Sequence, residues 1–272
     1  MSLQRGGGMF FQIEITTKCN YRCFYCAGRQ MPQRHMKQEV FDGILSGMPG
    51  GRHTVSLQGE GEPTVHPRFW ALVDQVARRG HIPYTITNGS LIEPELAHRR
   101  FPNLGVSLDT LNTAEAERIG RLKLPEMLAN LNTLIRVMGP GRIVLHTVDT
   151  GQDLSSVKRY ARSHGLRHLI QPLQRKDDYA RCYPGLALEA TRPVAAAGPC
   201  RYLEGDFMRF FNIEGVEFPC CFIKDATGYA GITDLRQRMR AGEVPGTCRG
   251  CAEIPRAGWT SSAFGIAKAR YR

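Results

Sequence analysis

Thr16-Thr17-Lys18-Cys19-Asn20-Tyr21-Arg22-Cys23-Phe24-Tyr25-Cys26 carries three cysteines with the spacing Cys-x3-Cys-x2-Cys. The residues before it, Met9-Phe10-Phe11-Gln12-Ile13-Glu14-Ile15, are mostly apolar and predict a strand. The cysteines therefore lie on a loop after a strand, where three thiolates can converge on one metal centre. Closing a structural zinc site takes four ligands, cysteine or histidine, and a ferredoxin-type cluster takes four thiolates, so three cysteines fall one short. Three thiolates leave one iron of a 4Fe–4S cluster open, although spacing alone also fits an incomplete zinc knuckle or scattered reduced thiols.

Length and composition predict one large domain, or one domain with a small appendix, because the chain has 272 residues of ordinary globular composition. No apolar run reaches the length of a membrane span, and no secretory signal begins the chain. We therefore predict a cytoplasmic protein with no membrane partner. The nine cysteines are clustered and odd in number, which indicates metal ligation in a reducing compartment and not disulfides.

The formal net charge of the chain is +11. Arginine is spread along the whole sequence without a dense tract, and no nucleic-acid motif is recognisable. The pattern favours a solvated basic surface over a nucleic-acid partner. An anionic substrate or an acidic redox partner would also suit this charge.

Strand and helix patterns alternate six times along the first two thirds of the chain. The predicted strands cover residues 9–15, 53–57, 82–87, 104–108, 143–148 and 168–173. Apolar stripes at helical spacing follow the first five strands, so the pattern predicts right-handed βαβ units and a parallel sheet. Six units are too few for a closed eight-fold barrel, and Pro172 indicates that the sixth strand lies at an edge. We expect the chemistry at the carboxyl ends of the strands.

The first cysteine motif resembles the Cys-x3-Cys-x-aromatic-Cys signature of the radical SAM superfamily. Cys19, Cys23, Tyr25 and Cys26 match it position for position. The resemblance implies an α/β fold in which residues 1–175 form an open, partial (β/α)6 barrel. It also implies a 4Fe–4S cluster whose open iron chelates the amino and carboxylate groups of S-adenosylmethionine, with Tyr25 against the adenine.

Residues at other strand ends resemble the cofactor-binding motifs of the same superfamily. Gly61-Glu62-Pro63 matches the end of the Gly-Gly-Glu-Pro motif, while Glu60 stands where the family has glycine. The resemblance makes Glu62, with its backbone neighbours, the expected binder of the methionine amino group. Ser107 and Asp109 match the ribose-binding motif in position, although Asp109 also fits a turn with a helix cap.

Three further polar residues are weaker candidates. Asn88 ends the third predicted strand and is expected to contact the methionine or the substrate, but Asn88-Gly89 fits a turn equally well. His146 and Gln171 lie on the fifth and sixth strands. Each faces the barrel interior or is a satisfied polar group of the core, and the sequence favours neither.

A second set of cysteines follows a proline- and glycine-containing linker, residues 176–199. Cys200 and Cys220 bracket a predicted hairpin that turns at Glu214-Gly215, and Cys248-x-x-Cys251 comes after a predicted helix, residues 235–241. Four thiolates can close around one metal, for which zinc is the first competitor.

The spacing of Cys200, Gly215 and Cys220 resembles the start of the SPASM/Twitch extension of many radical SAM enzymes. No cysteine follows Cys251, so the match is to the shorter Twitch form, here residues 200–272 with the tail. The resemblance implies a second, auxiliary 4Fe–4S cluster held by Cys200, Cys220, Cys248 and Cys251. Cys182 and Cys221 are then left over, either as spare thiols or as catalytic donors of a hydrogen atom.

These resemblances imply an enzyme that reductively cleaves S-adenosylmethionine, with electrons from a donor such as flavodoxin or ferredoxin. The resulting radical would take a hydrogen atom from an unactivated carbon of a small polar substrate. Size and cysteine sets are similar to those of 2-deoxy-scyllo-inosamine dehydrogenases, so we expect a sugar or cyclitol to be oxidised through the auxiliary cluster. The alternatives are a radical epimerase, a peptide-modifying (RiPP) maturase and a non-catalytic zinc-binding module.

Overall fold

The computed structural model describes residues 8–176, 179, 200, 202–203, 208–224 and 226–254. The strands within these ranges are β1 (Phe10–Ile13), β2 (Thr54–Leu57), β3 (Ile82–Tyr84), β4 (Ile86–Thr87), β5 (Leu104–Ser107), β6 (Ile143–Asp149), β7 (Arg167–Pro172), β8 (Met208–Phe211) and β9 (Glu217–Phe218). The α-helices are α1 (Gln38–Ser46), α2 (Phe69–Arg78), α3 (Pro94–Arg100), α4 (Thr113–Ile119), α5 (Leu124–Met138), α6 (Ser155–Ser163) and α7 (Ile232–Arg240).

The first seven strands run parallel and form the wall of an open barrel. Two sheets have the orders β3-β2-β1-β8-β9 and β4-β5-β6-β7. Strands β3 and β4 are one predicted strand interrupted at Thr85, whose carbonyl accepts a hydrogen bond from the Gly105 amide at 2.9 Å. The parallel α/β architecture is therefore confirmed, and β7 lies at a sheet edge as Pro172 indicated.

Alternation along the strands separates an apolar outer layer from a polar interior. Phe11, Ile13, Val55 and Leu57 are fully buried in the main hydrophobic core, together with apolar residues of the helices. The intervening residues face the other side of the sheet, where the Gln58 side chain lies 3.4 Å from that of Gln12. Burial of the outward stripe against the helices supplies the main hydrophobic stabilisation of the barrel.

The hairpin bracketed by Cys200 and Cys220 adds to the barrel sheet. Strand β8 pairs in parallel with β1, with Phe10 opposite Met208, and β9 pairs antiparallel with β8. Gly215 at the turn has a φ of 80°, a conformation that favours glycine, so the predicted turn is confirmed. Residues around the hairpin and α7 form a second hydrophobic cluster. The strands of this hairpin, β8 and β9, belong to the same sheet as β1, β2 and β3 of the barrel.

Two helices differ from the sequence predictions, and one predicted segment lies outside the described residues. Helix α4 was not predicted, because it has only seven residues and is mostly polar. Helix α7 begins at Ile232, before the predicted start at residue 235. Most of the predicted linker, including Cys182, lies outside the described residues. Among the residues described, no helix is long and apolar enough to cross a membrane.

Candidate functional site

The three-cysteine loop is fastened to the end of helix α4. The amides of Arg22 and Phe24 donate hydrogen bonds of 2.9 Å to the carbonyls of Gly120 and Ile119. Gly120 has a φ of 98°, and a Cβ there would lie 2.2 Å from the Arg22 carbonyl oxygen. Only glycine therefore allows this approach, so the helix that the sequence did not reveal sets the position of the cysteines.

The three thiols of this loop have different surroundings. Cys19 is exposed and its sulfur accepts a hydrogen bond from the Tyr21 amide at 3.3 Å, whereas Cys23 and Cys26 are partly buried. The Cys26 sulfur lies 3.4 Å from the carbonyl oxygen of Glu60 and 3.5 Å from its carboxylate. Three thiols on one glycine-fastened loop are a donor set that fits a 4Fe–4S cluster with one open iron. Among the described residues, no group of three or more His, Cys, Asp or Glu side chains is arranged so that it could hold a single metal ion.

The loop of Gly61, Glu62 and Pro63 packs directly on the start of the cysteine loop. A Cβ on Gly61 would lie 2.3 Å from the Thr16 carbonyl oxygen, and the Glu62 amide donates to the Lys18 carbonyl at 2.9 Å. Pro63 is buried and begins a short 3₁₀ helix. The glycine predicted from the motif therefore serves a close backbone contact between the two loops.

The carboxylate of Glu62 is buried and bonded to protein donors. Its Oε1 accepts from the hydroxyls of Thr64 and Thr87 at 2.6 Å each, and its Oε2 accepts from the Asn88 amide at 2.6 Å. Burial raises the pKa of Glu62, although these hydrogen bonds act in the opposite direction. The side chain thus ties the end of β2 to the end of β4, and its contact with the methionine amino group stays a prediction.

Asn88 connects the same strand end to the cysteine loop. Its side-chain nitrogen donates to the Asn20 side-chain oxygen at 2.8 Å, and its side-chain oxygen accepts from the Ser90 amide at 3.0 Å. Gly89 has a φ of 81°, as the predicted turn requires. Asn88 is therefore a turn residue that also holds Asn20, the residue after Cys19, and its contact with the methionine or the substrate stays a prediction.

Tyr25, Asp109 and Arg121 form a polar cluster in which Asp109 and Arg121 are buried and Tyr25 is partly buried. Asp109 accepts hydrogen bonds from the Tyr25 hydroxyl at 2.6 Å, the Arg121 Nε at 2.7 Å and the Val148 amide at 2.9 Å. Burial opposes the charge of Arg121, but the nearby Asp109, Tyr25 and Cys23 together outweigh burial and raise its pKa. Asn112, and not Asp109, caps α4, and the predicted contact of Asp109 with the ribose stays a prediction.

The barrel interior holds several polar side chains, among them two that the sequence left undecided. Ser107 pairs with His146, and Val148 pairs with Gln171, so Ser107, His146 and Gln171 share the inner face. The Tyr84 hydroxyl lies 3.4 Å from Nε2 of His146. Burial, and then the charges of Arg167 and His168, lower the pKa of His146 to about 4. His146 is therefore neutral near pH 7 and faces the lumen.

The second cysteine set surrounds one cavity in the C-terminal unit. Its lining includes Cys200, Cys220, Cys248 and Cys251, the four cysteines grouped from the sequence. Burial is the main cause that raises the pKa of Cys200 to about 11. Lys176, which the sequence placed at the linker start, also lines the cavity.

Of the two spare cysteines, only Cys221 lies within the described residues. Its side chain is absent from the lining of the cysteine cavity. Burial, followed by the charge of Cys220, raises the pKa of the Cys221 thiol well above its usual range. A protonated thiol carries the hydrogen atom that the predicted catalytic role needs, and that role stays a prediction.

Sequence reasoning missed the charged residues that connect the two cysteine sets. Glu60 forms an ion pair with Lys224, with 2.5 Å between Oε1 and Nζ, and the Glu60 amide donates to the Glu14 carboxylate at 2.8 Å. Burial is the largest single influence and opposes ionisation of Glu60, but the charge of Lys224 and the hydrogen bonds to Glu60 together outweigh burial and lower its pKa. The only sign of this ion pair in the sequence was Glu60 at a position where the family motif has glycine, and it did not indicate that Lys224 is its partner.

Comparison with known proteins agrees with this arrangement. The family model described as "Radical SAM superfamily" matches residues 13–162. A GTP 3',8-cyclase of Rhodopseudomonas palustris is 31% identical over 85% of this chain and 80% of that protein. An S-adenosylmethionine-dependent nucleotide dehydratase of Selenomonas ruminantium is also 31% identical, over 51% of this chain.

Other relatives overlap with the chain over part of their length. A tungsten-containing aldehyde ferredoxin oxidoreductase cofactor-modifying protein of Pyrococcus furiosus is 34% identical over 39% of this chain. The match covers 32% of that protein and 55% of the dehydratase. The crystal structure of Streptococcus suis SuiB has a TM-score of 0.61 at 13% identity over 86% of this chain and 65% of that one, which is a likeness of fold. With the family model matching more than half of its residues and three cysteines on the loop after β1, the chain belongs to the radical SAM superfamily.

Proposed function

We propose that this radical SAM enzyme oxidises a small polar substrate of sugar or cyclitol type and passes an electron to an auxiliary 4Fe–4S cluster. One observation carries the proposal: Cys200, Cys220, Cys248 and Cys251 line a single cavity. Four thiolates are the ligand number that closes a 4Fe–4S cluster without an open iron. A closed cluster suits electron transfer and not substrate binding, and the C-terminal unit is then a Twitch domain.

When bound, the first cluster and S-adenosylmethionine supply a radical that removes one hydrogen atom from the substrate. The remaining oxidation step releases one proton and one electron from the substrate radical, so the substrate loses two electrons in total. Cys200, Cys220, Cys248 and Cys251 would hold the auxiliary cluster, which would accept that electron, and a flavodoxin or a ferredoxin would supply the electron for cofactor cleavage. The chain itself positions the reactants and excludes water.

The interior of the barrel supports a polar substrate. The buried Ser56 hydroxyl, the Gln58 side-chain oxygen and Nδ1 of His146 have no hydrogen-bond partner among the described residues. Buried polar atoms are nearly always paired, so unpaired atoms in one lumen indicate a ligand or water with matching groups. A hydroxylated molecule offers both donors and acceptors to these atoms.

The test is the iron and sulfide content of anaerobically reconstituted protein. The Cys19/Cys23/Cys26→Ala variant is expected to lose about half of the wild-type iron, because one of two equal clusters is removed. The Cys200/Cys220/Cys248/Cys251→Ala variant is the matched partner and is expected to lose the other half. Loss of all iron in the first variant would show that the C-terminal cysteines hold zinc or no metal, and oxidation through an auxiliary cluster would then be abandoned.

A second candidate is the modification of a nucleotide. The GTP 3',8-cyclase covers 85% of this chain, and the net charge of +11 suits an anionic substrate. The probes are GTP and CTP, added separately to reconstituted enzyme with S-adenosylmethionine and dithionite. Release of 5′-deoxyadenosine that rises with one nucleotide, and not with inositol or glucose, would support this candidate over the sugar or cyclitol.

A further inference from the structure

Glu60 brings a negative charge to the first cysteine loop at a position where the family motif has glycine. Its carboxylate lies 3.5 Å from the Cys26 sulfur, and its carbonyl oxygen lies 3.4 Å from the same atom. Gly28 allows this approach, since a Cβ there would lie 2.6 Å from the Glu60 carbonyl oxygen. The carboxylate is therefore held beside one cluster ligand by the packing of two loops.

The cation that pairs with Glu60 is Lys224, from the part of the chain that carries the second set of cysteines. Lys224 follows the Cys220-Cys221 pair, and its Nζ lies 2.5 Å from Oε1 of Glu60 and 2.9 Å from the Cys221 carbonyl oxygen. The lysine side chain is 5% exposed and that of Glu60 is 19% exposed. Glu14 is a second buried carboxylate that acts on Lys224. The ion pair thus joins the two cysteine-bearing parts of the chain at the mouth of the barrel.

We propose that the Glu60–Lys224 pair is a positioning pair that sets the reduction potential of the first cluster through the charge next to Cys26. This inference rests on the cluster of Cys19, Cys23 and Cys26 and not on the auxiliary cluster. Reduction potentials of iron–sulfur clusters depend on net charge and on the groups beside the sulfurs. A carboxylate beside a ligating sulfur disfavours the added electron, whereas an ammonium group favours it.

Because Glu60 and Lys224 are partly buried, their charges act more strongly on the cluster than charges exposed to water would. Charges near a protein interior are screened less than charges in water, so the loss of one partner leaves the other uncompensated beside the cluster. Neutralising Glu60 leaves the lysine cation, and the potential rises. Neutralising Lys224 leaves the carboxylate, and the potential falls. Two partners of one ion pair thus give shifts of opposite sign.

The test is a redox titration of the reconstituted full-length protein, followed by the electron paramagnetic resonance signal of the reduced cluster. The signal that changes on addition of S-adenosylmethionine identifies the first cluster. We expect Glu60→Gln to shift its midpoint to a more positive potential and Lys224→Met to shift it to a more negative one. The double variant is expected to lie between the two.

Asp74→Asn is the charge-matched control, because Asp74 pairs with Arg100 on the outer helices α2 and α3. It is expected to leave the midpoint unchanged. Lys224→Arg keeps the charge and is expected to stay close to wild type. Equal midpoints in Glu60→Gln and Asp74→Asn would overturn the inference, even where Lys224→Met fails to load the cluster. Shifts of the same sign in both single variants would also overturn it and would indicate a packing role. Neither result bears on the count of clusters, so the proposed oxidation is tested separately.

Discussion

Arg121 and Asp109 form a buried ion pair in which 2.7 Å separates Nε from Oδ2. The Tyr25 hydroxyl lies on the same carboxylate oxygen, at 2.6 Å. The aromatic residue of the cysteine motif is therefore fixed by a charge pair from the ends of β5 and α4. The pair links the cluster loop to the barrel wall.

Asp109→Asn is expected to lower the free energy of unfolding by about 3–5 kcal/mol, because it leaves the Arg121 charge buried without its partner. Urea denaturation measures the change. Glu115→Gln breaks the pair between Glu115 and Arg118, whose arginine side chain is 57% exposed, and is expected to cost less than about 1 kcal/mol. Equal losses in the two variants would contradict the importance of burial.

Gly61→Ala is expected to displace the cysteine loop, because the new Cβ would meet the carbonyl oxygens of Thr16 and Lys18 at 2.3 Å and 2.7 Å. We expect reduced iron content after reconstitution and weaker binding of S-adenosylmethionine, measured by calorimetry. Gly43→Ala in helix α1 is the control, since a Cβ there meets nothing within 4 Å. That variant is expected to be more stable by about 0.5–1 kcal/mol. Wild-type iron content and cofactor binding in Gly61→Ala would show that the close contact is dispensable.

Cys220→Ala and Cys221→Ala are neighbouring variants with opposite expected results. Cys220 lines the cysteine cavity, so its loss is expected to reduce iron to about half of the wild-type content. Cys221 lies outside that lining, and Cys221→Ala is expected to retain all of the iron. Product analysis of Cys221→Ala then tests its role as a hydrogen-atom donor, because normal turnover would eliminate that role.

The stability of the protein is expected to depend on pH through His146. Its pKa is lowered to about 4, so the folded state binds a proton less readily than the unfolded chain. The free energy of unfolding therefore has its full value well above pH 6.5, where the ring is neutral in both states. It falls as the pH drops from 6.5 towards 4, because the unfolded chain then binds the proton more readily. The loss is at most about 3.4 kcal/mol, because the pKa falls from 6.5 to about 4 and each unit of pKa corresponds to about 1.36 kcal/mol. Denaturant unfolding of wild type and His146→Gln at several pH values measures it, and equal slopes in the two proteins would refute the assignment.

The sequence was sufficient for the features that depend on local pattern. Alternation of apolar residues predicted the six barrel strands, and Glu214-Gly215 predicted the turn of the hairpin, because such patterns act over a few neighbouring residues. Helix α4 escaped prediction since seven mostly polar residues give a weak periodic signal. Its end nevertheless holds the cysteine loop through Gly120.

The sequence by itself determined the three-cysteine loop, the parallel α/β architecture and the grouping of four later cysteines. Only the tertiary structure decided that β8 joins β1, that Arg121 pairs with Asp109, and that Lys224 pairs with Glu60. The physical reason is that charged residues, unlike apolar ones, do not recur with the period of a helix or strand, so the sequence pattern does not indicate which residue pairs with which. Such a pair forms where the folded chain brings two loops together and removes water from between them.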